Sequence, residues 1–278
     1  MSPKKRPRKK PADSRSGSAR TARVHAARSR IGAGGPFDPD YMPFYEESPL
    51  LNWLGDCPGP QIPIYAVVGI WHQLASRAPL GTCVIVAHQL CGALRHLGID
   101  AQPVAATASV YELVPGTSGR AWQVTDTGTG QTPPTVSDPG MTDGHMVLLV
   151  PVPGLVIDAS IVQNLTILRR AYRDTLYSVP AVAAVPPGAI PSADVEFAYD
   201  ESLRVTWQLH PQWTHILDQV LAYDDLRFIT EHGALVFAHH AMTLIAALME
   251  DDPSLDFSRT HPRVDALARG TVLLPPID

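Results

Sequence analysis

A cysteine opens a predicted helix between residues 81 and 104, where the chain reads GTCVIVAHQLCGALRHLGIDAQPV. Apolar side chains recur there at steps of three and four residues from Cys83 to Leu97, which is the period of one helix face. Gly98 follows as the expected stop. The first turn of a helix carries the positive end of the helix dipole and unpaired N–H groups, which favour a thiolate and can hold an oxyanion. Cys83 is therefore the candidate nucleophile, and the next question is which residues supply its base.

The composition is that of a globular protein rather than of a membrane or secreted one. Hydrophobic residues make up 45% of the 278 residues, which is enough for a sizeable core, and no apolar run is long enough to predict a membrane span. The basic start lacks the apolar segment of a secretory signal. Three cysteines, an odd number without framework spacing, favour a reducing compartment. We therefore expect a soluble cytoplasmic protein.

The charge is distributed unevenly along the chain. Eleven of the 22 Lys and Arg residues fall within residues 1–30, together with a single acidic residue, so the rest of the chain is strongly acidic. Residues 1–36 are also nearly free of large apolar side chains, and we predict a disordered basic tail there. Such a tail binds nucleic acid or another anionic partner non-specifically by counterion release. A solubilising leader without a specific partner is the alternative interpretation.

Alternation and helical periodicity indicate a mixed order of helices and strands, separated by glycine- and proline-rich breaks. The predicted helices cover residues 62–77, 83–97, 165–177, about 213–223 and 227–249. The predicted strands cover residues 101–113 and 121–124, with hairpins at 145–158 and 195–209. We predict an α+β fold in which a core at residues 37–192 packs the cysteine helix on an antiparallel sheet. A β-hairpin plus helical C-terminal extension at residues 193–278 is expected to pack on that core and to end in a polar tail.

A base and an orienting group for the thiol are both present in the first hairpin. Cysteine chemistry needs such a base and usually a group that orients it. His145 opens one strand of HMVLLVPVPGLVID, and Asp158 closes the other. In an antiparallel pair, the first residue of one strand lies beside the last residue of the next. The hairpin can therefore place the Asp158 carboxylate against the imidazole of His145, with the strand end facing the start of the Cys83 helix.

The order of these residues resembles the transglutaminase-like cysteine fold superfamily, which includes transglutaminase-like proteases and amidases and the arylamine N-acetyltransferases. The family helix reads G-x-C, then small and apolar positions, then LR-x-x-GI-x-A-x-x-V. The matching positions here are Gly81, Cys83, Ala87, Leu94, Arg95, Gly98, Ile99, Ala101 and Val104. At the histidine the chain has His-Met-Val where transglutaminase-like members carry His-Ala-Trp, and HMVLLVPVPGLVIDAS is closer to the acetyltransferase pattern. The acetyltransferase motifs Arg-Gly-Gly and Gly-Phe-Gly are missing, and the resemblance spans about residues 62–160.

The resemblance implies a papain-like core with a Cys-His-Asp triad. Cys83 would be the nucleophile, His145 the general base and acid, and Asp158 the group that orients the imidazole. The backbone N–H of Cys83, with Gln73 or Trp71 from the preceding helix, would hold the oxyanion. The implied reaction is hydrolysis or acyl transfer on an acyl or peptide substrate, at an amide, isopeptide or activated acyl group. It would proceed through a thioester and without a metal or another cofactor.

Other interpretations of the same residues stay open at this point. The triad does not decide between hydrolysis and transfer, because either water or an amine can attack the thioester. The same fold can also be a non-catalytic binding module whose basic tail contacts nucleic acid or another anionic partner. Cys91 is expected in the core, and the adjacent His239 and His240 lack the spacing of a metal site.

Overall fold

The computed structural model describes most of the chain from residue 54 onwards, in segments. These segments are residues 54–75, 83–112, 120–123, 133–138, 141–142, 144–161, 181–184, 194–198 and 203–277. Three predicted features lie outside them: the basic tail at residues 1–36, the helix at residues 165–177 and the helix-capping residues 81–82.

An antiparallel sheet of seven strands forms one half of the structure. Its strands are β1 (Gln102–Glu112), β2 (Arg120–Gln123), β5 (His145–Val150), β6 (Leu155–Asp158), β7 (Ala181–Ala184), β8 (Asp194–Ala198) and β9 (Leu203–Leu209). The order is β7-β6-β5-β1-β9-β8, with β2 also paired to β1. The outer strands β7 and β8 approach each other, so the sheet curls into a half-barrel. A separate two-stranded sheet is formed by β3 (Val136–Asp138) and β4 (Met141–Thr142).

Helices cover one face of the seven-stranded sheet. They are α1 (Ile62–Ala75), α2 (Cys83–His96), α3 (Thr214–Leu217), α4 (Asp224–Asp251) and α5 (Pro262–Ala268). α1, α2 and α4 pack on one another, and one buried apolar cluster joins them to side chains of β5 and β6 such as Leu148, Leu155 and Ile157. The structure is therefore a mixture of helices and one main antiparallel sheet, as the sequence predicted.

The cysteine helix has the ends that its sequence predicts. α2 begins at Cys83 and ends at His96. Gly98 follows with φ +75°, a conformation that favours glycine. Its N–H donates to the carbonyl of Arg95 at 2.9 Å, and the N–H of Ile99 donates to the carbonyl of Leu94 at 2.9 Å. These two hydrogen bonds form a Schellman motif, which satisfies the last carbonyls of the helix.

The C-terminal part differs from the prediction in two places. The helix expected at about 213–223 is the short α3, flanked by 3-10 turns at residues 211–213 and 218–222. Leu217 and Val220 are both buried, because three residues per 3-10 turn put positions i and i+3 on the same side. The expected polar tail contains α5, which was missed because its seven residues bury only Val264 and Leu267. The hairpin of β8 and β9 is built into the main sheet, where β9 pairs directly with β1.

The longest helix, α4, has a composition that the sequence analysis did not single out. It is 28 residues long and, alone among the described helices, is long and apolar enough to cross a membrane. The sequence analysis had predicted no such segment. In the structure 72% of its most apolar window is buried inside the protein. Its apolar character is thus accounted for by its position in the core, where Ala238, Met242 and Ile245 are fully buried.

The packing of α2 against α4 leads to a stability prediction at Gly92. A Cβ atom added at Gly92 would lie 2.7 Å from the Cβ of Ala234. Both atoms are fixed to helix backbones, so Gly92→Ala must push the helices apart, at a cost of about 1–3 kcal/mol. Replacing a helical glycine returns only about 0.5–1 kcal/mol. We therefore expect a net loss of unfolding free energy, measured by urea denaturation.

Two further variants test whether this loss comes from the contact itself. Gly55→Ala is the matched control, because an added Cβ at Gly55 would meet nothing within 4 Å, and we expect it to be neutral. Adding Ala234→Gly to Gly92→Ala removes the opposing methyl group and is expected to restore part of the lost stability. Strictly additive effects of the two substitutions would contradict this account.

Candidate active site

Side-chain alternation places His145 and Met146 on opposite faces of β5. Met146 pairs with Ala105 of β1, and both pack in the apolar cluster that contains Cys83. His145 pairs with Ala106 and therefore projects from the face of the strand opposite to that of Met146. His145 is the first residue of β5, and its side chain interacts with that of Cys83 at the start of α2.

A short hydrogen bond joins the two polar residues of the hairpin. Nε2 of His145 lies 2.6 Å from Oδ2 of Asp158, and both residues are 1% exposed. The ladder pairs Leu148 with Ile157, so the two polar residues share one face and are diagonal rather than directly opposite neighbours. Because Nε2 of His145 makes the hydrogen bond to Asp158, Nδ1 is the ring nitrogen available to the thiol of Cys83.

The thiol of Cys83 completes the arrangement at the first residue of α2. Cys83 is 4% exposed and interacts with the side chain of His145. Its Sγ atom donates to the carbonyl oxygen of Gly144, the residue before β5, over 3.7 Å. The structure thus brings Cys83, His145 and Asp158 together, in the spatial order that the sequence analysis expected.

The surroundings of His145 determine its charge at neutral pH. Burial alone would lower the pKa of His145, because it penalises the imidazolium. The charge and the hydrogen bond of Asp158, with a further contribution from Cys83, outweigh burial and raise the pKa of His145 to about 10. His145 is therefore protonated around pH 7, as an imidazolium between a carboxylate and a thiol.

The carboxylate of Asp158 accepts two hydrogen bonds besides that of His145. Nε1 of Trp207 donates to Oδ2 at 2.7 Å, and the hydroxyl of Ser160 donates to Oδ1 at 3.1 Å. Trp207 and Ser160 are both buried, at 1% and 2% exposure. Three donors on one buried carboxylate fix its position.

The sequence analysis missed Trp207 and Ser160 as parts of this site. Ser160 lies two residues after Asp158, so a local side-chain hydrogen bond was a usable signal. Trp207 lies on β9, which is separated from β6 by two other strands of the sheet. Only the curl of the sheet brings these two strands within reach of one indole ring. No local pattern in the sequence predicts the curl of the sheet.

Of the two side chains predicted as donors for the oxyanion hole, the structure describes that of Trp71. Trp71 is fully buried in the main apolar cluster, whereas Cys83 belongs to the smaller second cluster. The indole N–H of Trp71 has no hydrogen-bond partner. Gln73 lies in α1, and its side chain is outside the described part of the chain. The backbone N–H of Cys83 is at the helix start, where N–H groups lack intrahelical partners.

The short helix α3 and its flanking 3-10 turns cover the start of α2. Leu217 and Val220 pack in the same apolar cluster as Cys83. Nearby, Oδ1 of Asp218 lies 2.9 Å from Nε2 of His88, which is on α2. With 4% of Cys83 exposed, the thiol is covered in this structure.

The other two cysteines lie in environments that disfavour a thiolate. Burial, with the charge of Asp56, raises the pKa of Cys57 to about 11. Burial also raises the pKa of Cys91, whose Sγ atom donates to the carbonyl of Ala101 at 3.1 Å. Cys91 is a core residue, as predicted.

One of the two adjacent histidines of α4, His239, contacts a residue 36 positions further along the chain. Nε2 of His239 lies 2.7 Å from the carbonyl oxygen of Pro275, and burial lowers the pKa of His239. Within the segments that the structure describes, no group of three or more side chains could hold a metal ion. The titratable side chains that the structure brings together at the candidate site are those of Cys83, His145 and Asp158.

The interpretation of the site rests on its own geometry. The three residues named from the sequence lie together, and Trp207 and Ser160 complete the hydrogen bonds of the carboxylate. No family model matches the chain, and no curated protein or solved structure matches it significantly.

Proposed function

We propose that the chain is a cysteine-dependent enzyme of the transglutaminase-like fold, which hydrolyses or transfers an acyl group through a thioester on Cys83. Its substrates would be amides, isopeptides or activated acyl groups. The observation that carries the proposal is the 2.6 Å hydrogen bond from His145 to Asp158 in a buried site beside Cys83, the first residue of α2. A helix that starts with the thiol and packs on an antiparallel sheet supports the same fold.

The first half of the reaction forms the thioester. The imidazolium of His145 stabilises the Cys83 thiolate, whose sulfur attacks the carbonyl carbon and forms the C–S bond. The carbonyl electrons move to oxygen, where N–H groups at the start of α2 hold the oxyanion. When the oxyanion collapses, the bond to the leaving group breaks and His145 gives that group its Nδ1 proton.

The second half of the reaction regenerates the thiolate. Neutral His145 accepts a proton from an incoming water or amine, which attacks the thioester carbon. The C–S bond breaks, Cys83 leaves as the thiolate, and His145 is an imidazolium again. Water yields a free acid, whereas an amine yields a new amide. Asp158 holds the imidazole in one orientation throughout both halves.

Acetylation by p-nitrophenyl acetate tests the proposal directly. At pH 7 we expect a burst of p-nitrophenol and one acetyl group on Cys83, identified by peptide mass spectrometry and removed by hydroxylamine. The acyl group should settle on this thiol because Cys83 lies beside the His145 imidazolium, whereas burial raises the pKa of Cys57 and of Cys91. Cys83→Ala should abolish the burst.

Cys57→Ala is the matched control, since it removes a half-buried thiol whose pKa is raised by burial and by Asp56, and it should leave the burst unchanged. The proposal fails if Cys83 is acetylated no faster than Cys57, or at the same rate in His145→Ala as in the wild type.

A further inference from the structure

We propose that Trp207 is a positioning residue of the triad, whose indole N–H fixes the Asp158 carboxylate in the orientation that holds the imidazole. This inference rests on the proposed function, because it assigns a role within the same site. Nε1 of Trp207 lies 2.7 Å from Oδ2 of Asp158, the oxygen that also contacts His145. All three residues are 1% exposed, so water does not compete for these hydrogen bonds.

Trp207 holds the carboxylate from a strand outside the hairpin of β5 and β6. The other donor to the carboxylate, Ser160, is two residues from Asp158 and shifts whenever Asp158 shifts. Trp207 instead comes from β9, which pairs with β1 and β8 and is separated from β6 by two strands. Of the two donors outside the triad, only Trp207 therefore defines the position of the carboxylate relative to the rest of the sheet.

The same hydrogen bond also affects the proton between His145 and Asp158. An N–H group that donates to Oδ2 stabilises negative charge on that oxygen. The proton between Nε2 and Oδ2 then stays on the imidazole, so His145 faces the Cys83 thiol as a cation. Without Trp207 the carboxylate keeps the hydrogen bonds of His145 and Ser160 but loses its donor from β9.

The test removes the N–H of Trp207 and keeps a large aromatic ring. In Trp207→Phe, the downfield proton resonance of His145 Nε2–H is expected to move upfield or to be lost by exchange broadening. Acetylation of Cys83 by p-nitrophenyl acetate should slow about tenfold or more, with unchanged half-saturation by the ester. An unchanged resonance overturns the inference, whether or not the acetylation rate falls.

Trp71→Phe is the matched control for the resonance. It deletes another fully buried indole N–H, but one that has no hydrogen-bond partner, so the His145 resonance should not change. An equal shift of the His145 resonance in both variants would mean that any disturbance of the core produces the effect, and would overturn the inference.

A measurement on the wild-type protein covers the case in which Trp207→Phe does not fold. The indole N–H resonance of Trp207 is followed against pH beside the imidazole resonances of His145. Both groups donate to Oδ2 of Asp158, so we expect the chemical shifts of the indole and imidazole protons to change with the same midpoint pH. An indole resonance that does not change at the His145 midpoint overturns the inference. Wild-type protein that is never acetylated contradicts the proposed function instead, because the resonances do not depend on catalysis.

Discussion

Replacing Asp158 with alanine is expected to lower the free energy of unfolding by about 3–5 kcal/mol, the usual cost of removing one partner of a buried ion pair. The carboxylate is 1% exposed and accepts hydrogen bonds from His145, Trp207 and Ser160. Its removal takes away the charge that keeps His145 protonated against the effect of burial, and it leaves the buried donors of Trp207 and Ser160 without this acceptor. Urea unfolding at pH 7 measures the loss.

Two variants separate this effect from a general loss of negative charge. Glu196→Ala breaks the exposed pair with Arg204, at 3.2 Å, and should cost less than about 1 kcal/mol. Asp158→Asn keeps the volume and one acceptor oxygen, so we expect a smaller loss of stability than in Asp158→Ala. Its acetylation rate should still fall by up to about 10⁴-fold, because an amide does not hold the imidazolium. Equal free energies of unfolding for Asp158→Ala and Glu196→Ala would show that the hydrogen bonds of the buried carboxylate do not stabilise the fold as proposed.

The parts of the site that could be predicted from the sequence are those with local signals. The helix start at Cys83 and the glycine stop at Gly98 follow from spacing and backbone preference, and both are confirmed. The strands that begin at His145 and end at Asp158 have the predicted bounds, because runs of apolar residues flank a turn with proline and glycine. One hairpin then brings the two polar residues to the same end of the sheet.

The contacts that could not be predicted join residues far apart in the chain. Trp207 reaches Asp158 only because β9 pairs with β1 and because the sheet curls, and neither property has a local sequence pattern. The cover formed by α3 and its flanking turns packs on Cys83 across more than one hundred residues of sequence. Helical period alone predicted a regular helix there, whereas packing on the start of α2 accompanies a short helix and 3-10 turns.

In the proposed reaction, Cys83 attacks as a thiolate held beside the His145 imidazolium. Asp158 raises the pKa of His145 to about 10 against the effect of burial, so the imidazolium persists from pH 6 to pH 9. A positive charge beside a thiol favours the thiolate form. An isolated thiol behaves differently, since its alkylation rate rises about tenfold per pH unit below its usual pKa of about 8.5.

The most direct test is the alkylation rate of each cysteine by iodoacetamide between pH 6 and pH 9, followed by peptide mass spectrometry. Normalising each profile to its value at pH 9 removes the effect of limited access to the buried thiol. His88→Ala is the matched control for removing a histidine near the site, because His88 lies on α2 and contacts Asp218 instead.

We predict that the alkylation rate of Cys83 rises less steeply with pH in the wild type and in His88→Ala than in His145→Ala, because the first two keep the His145 imidazolium. In His145→Ala its rate should rise steeply with pH, as that of Cys57 should in every variant, since the pKa of Cys57 is raised to about 11. A Cys83 that is inert at every pH, or whose profile rises steeply whether or not His145 is present, would contradict the account.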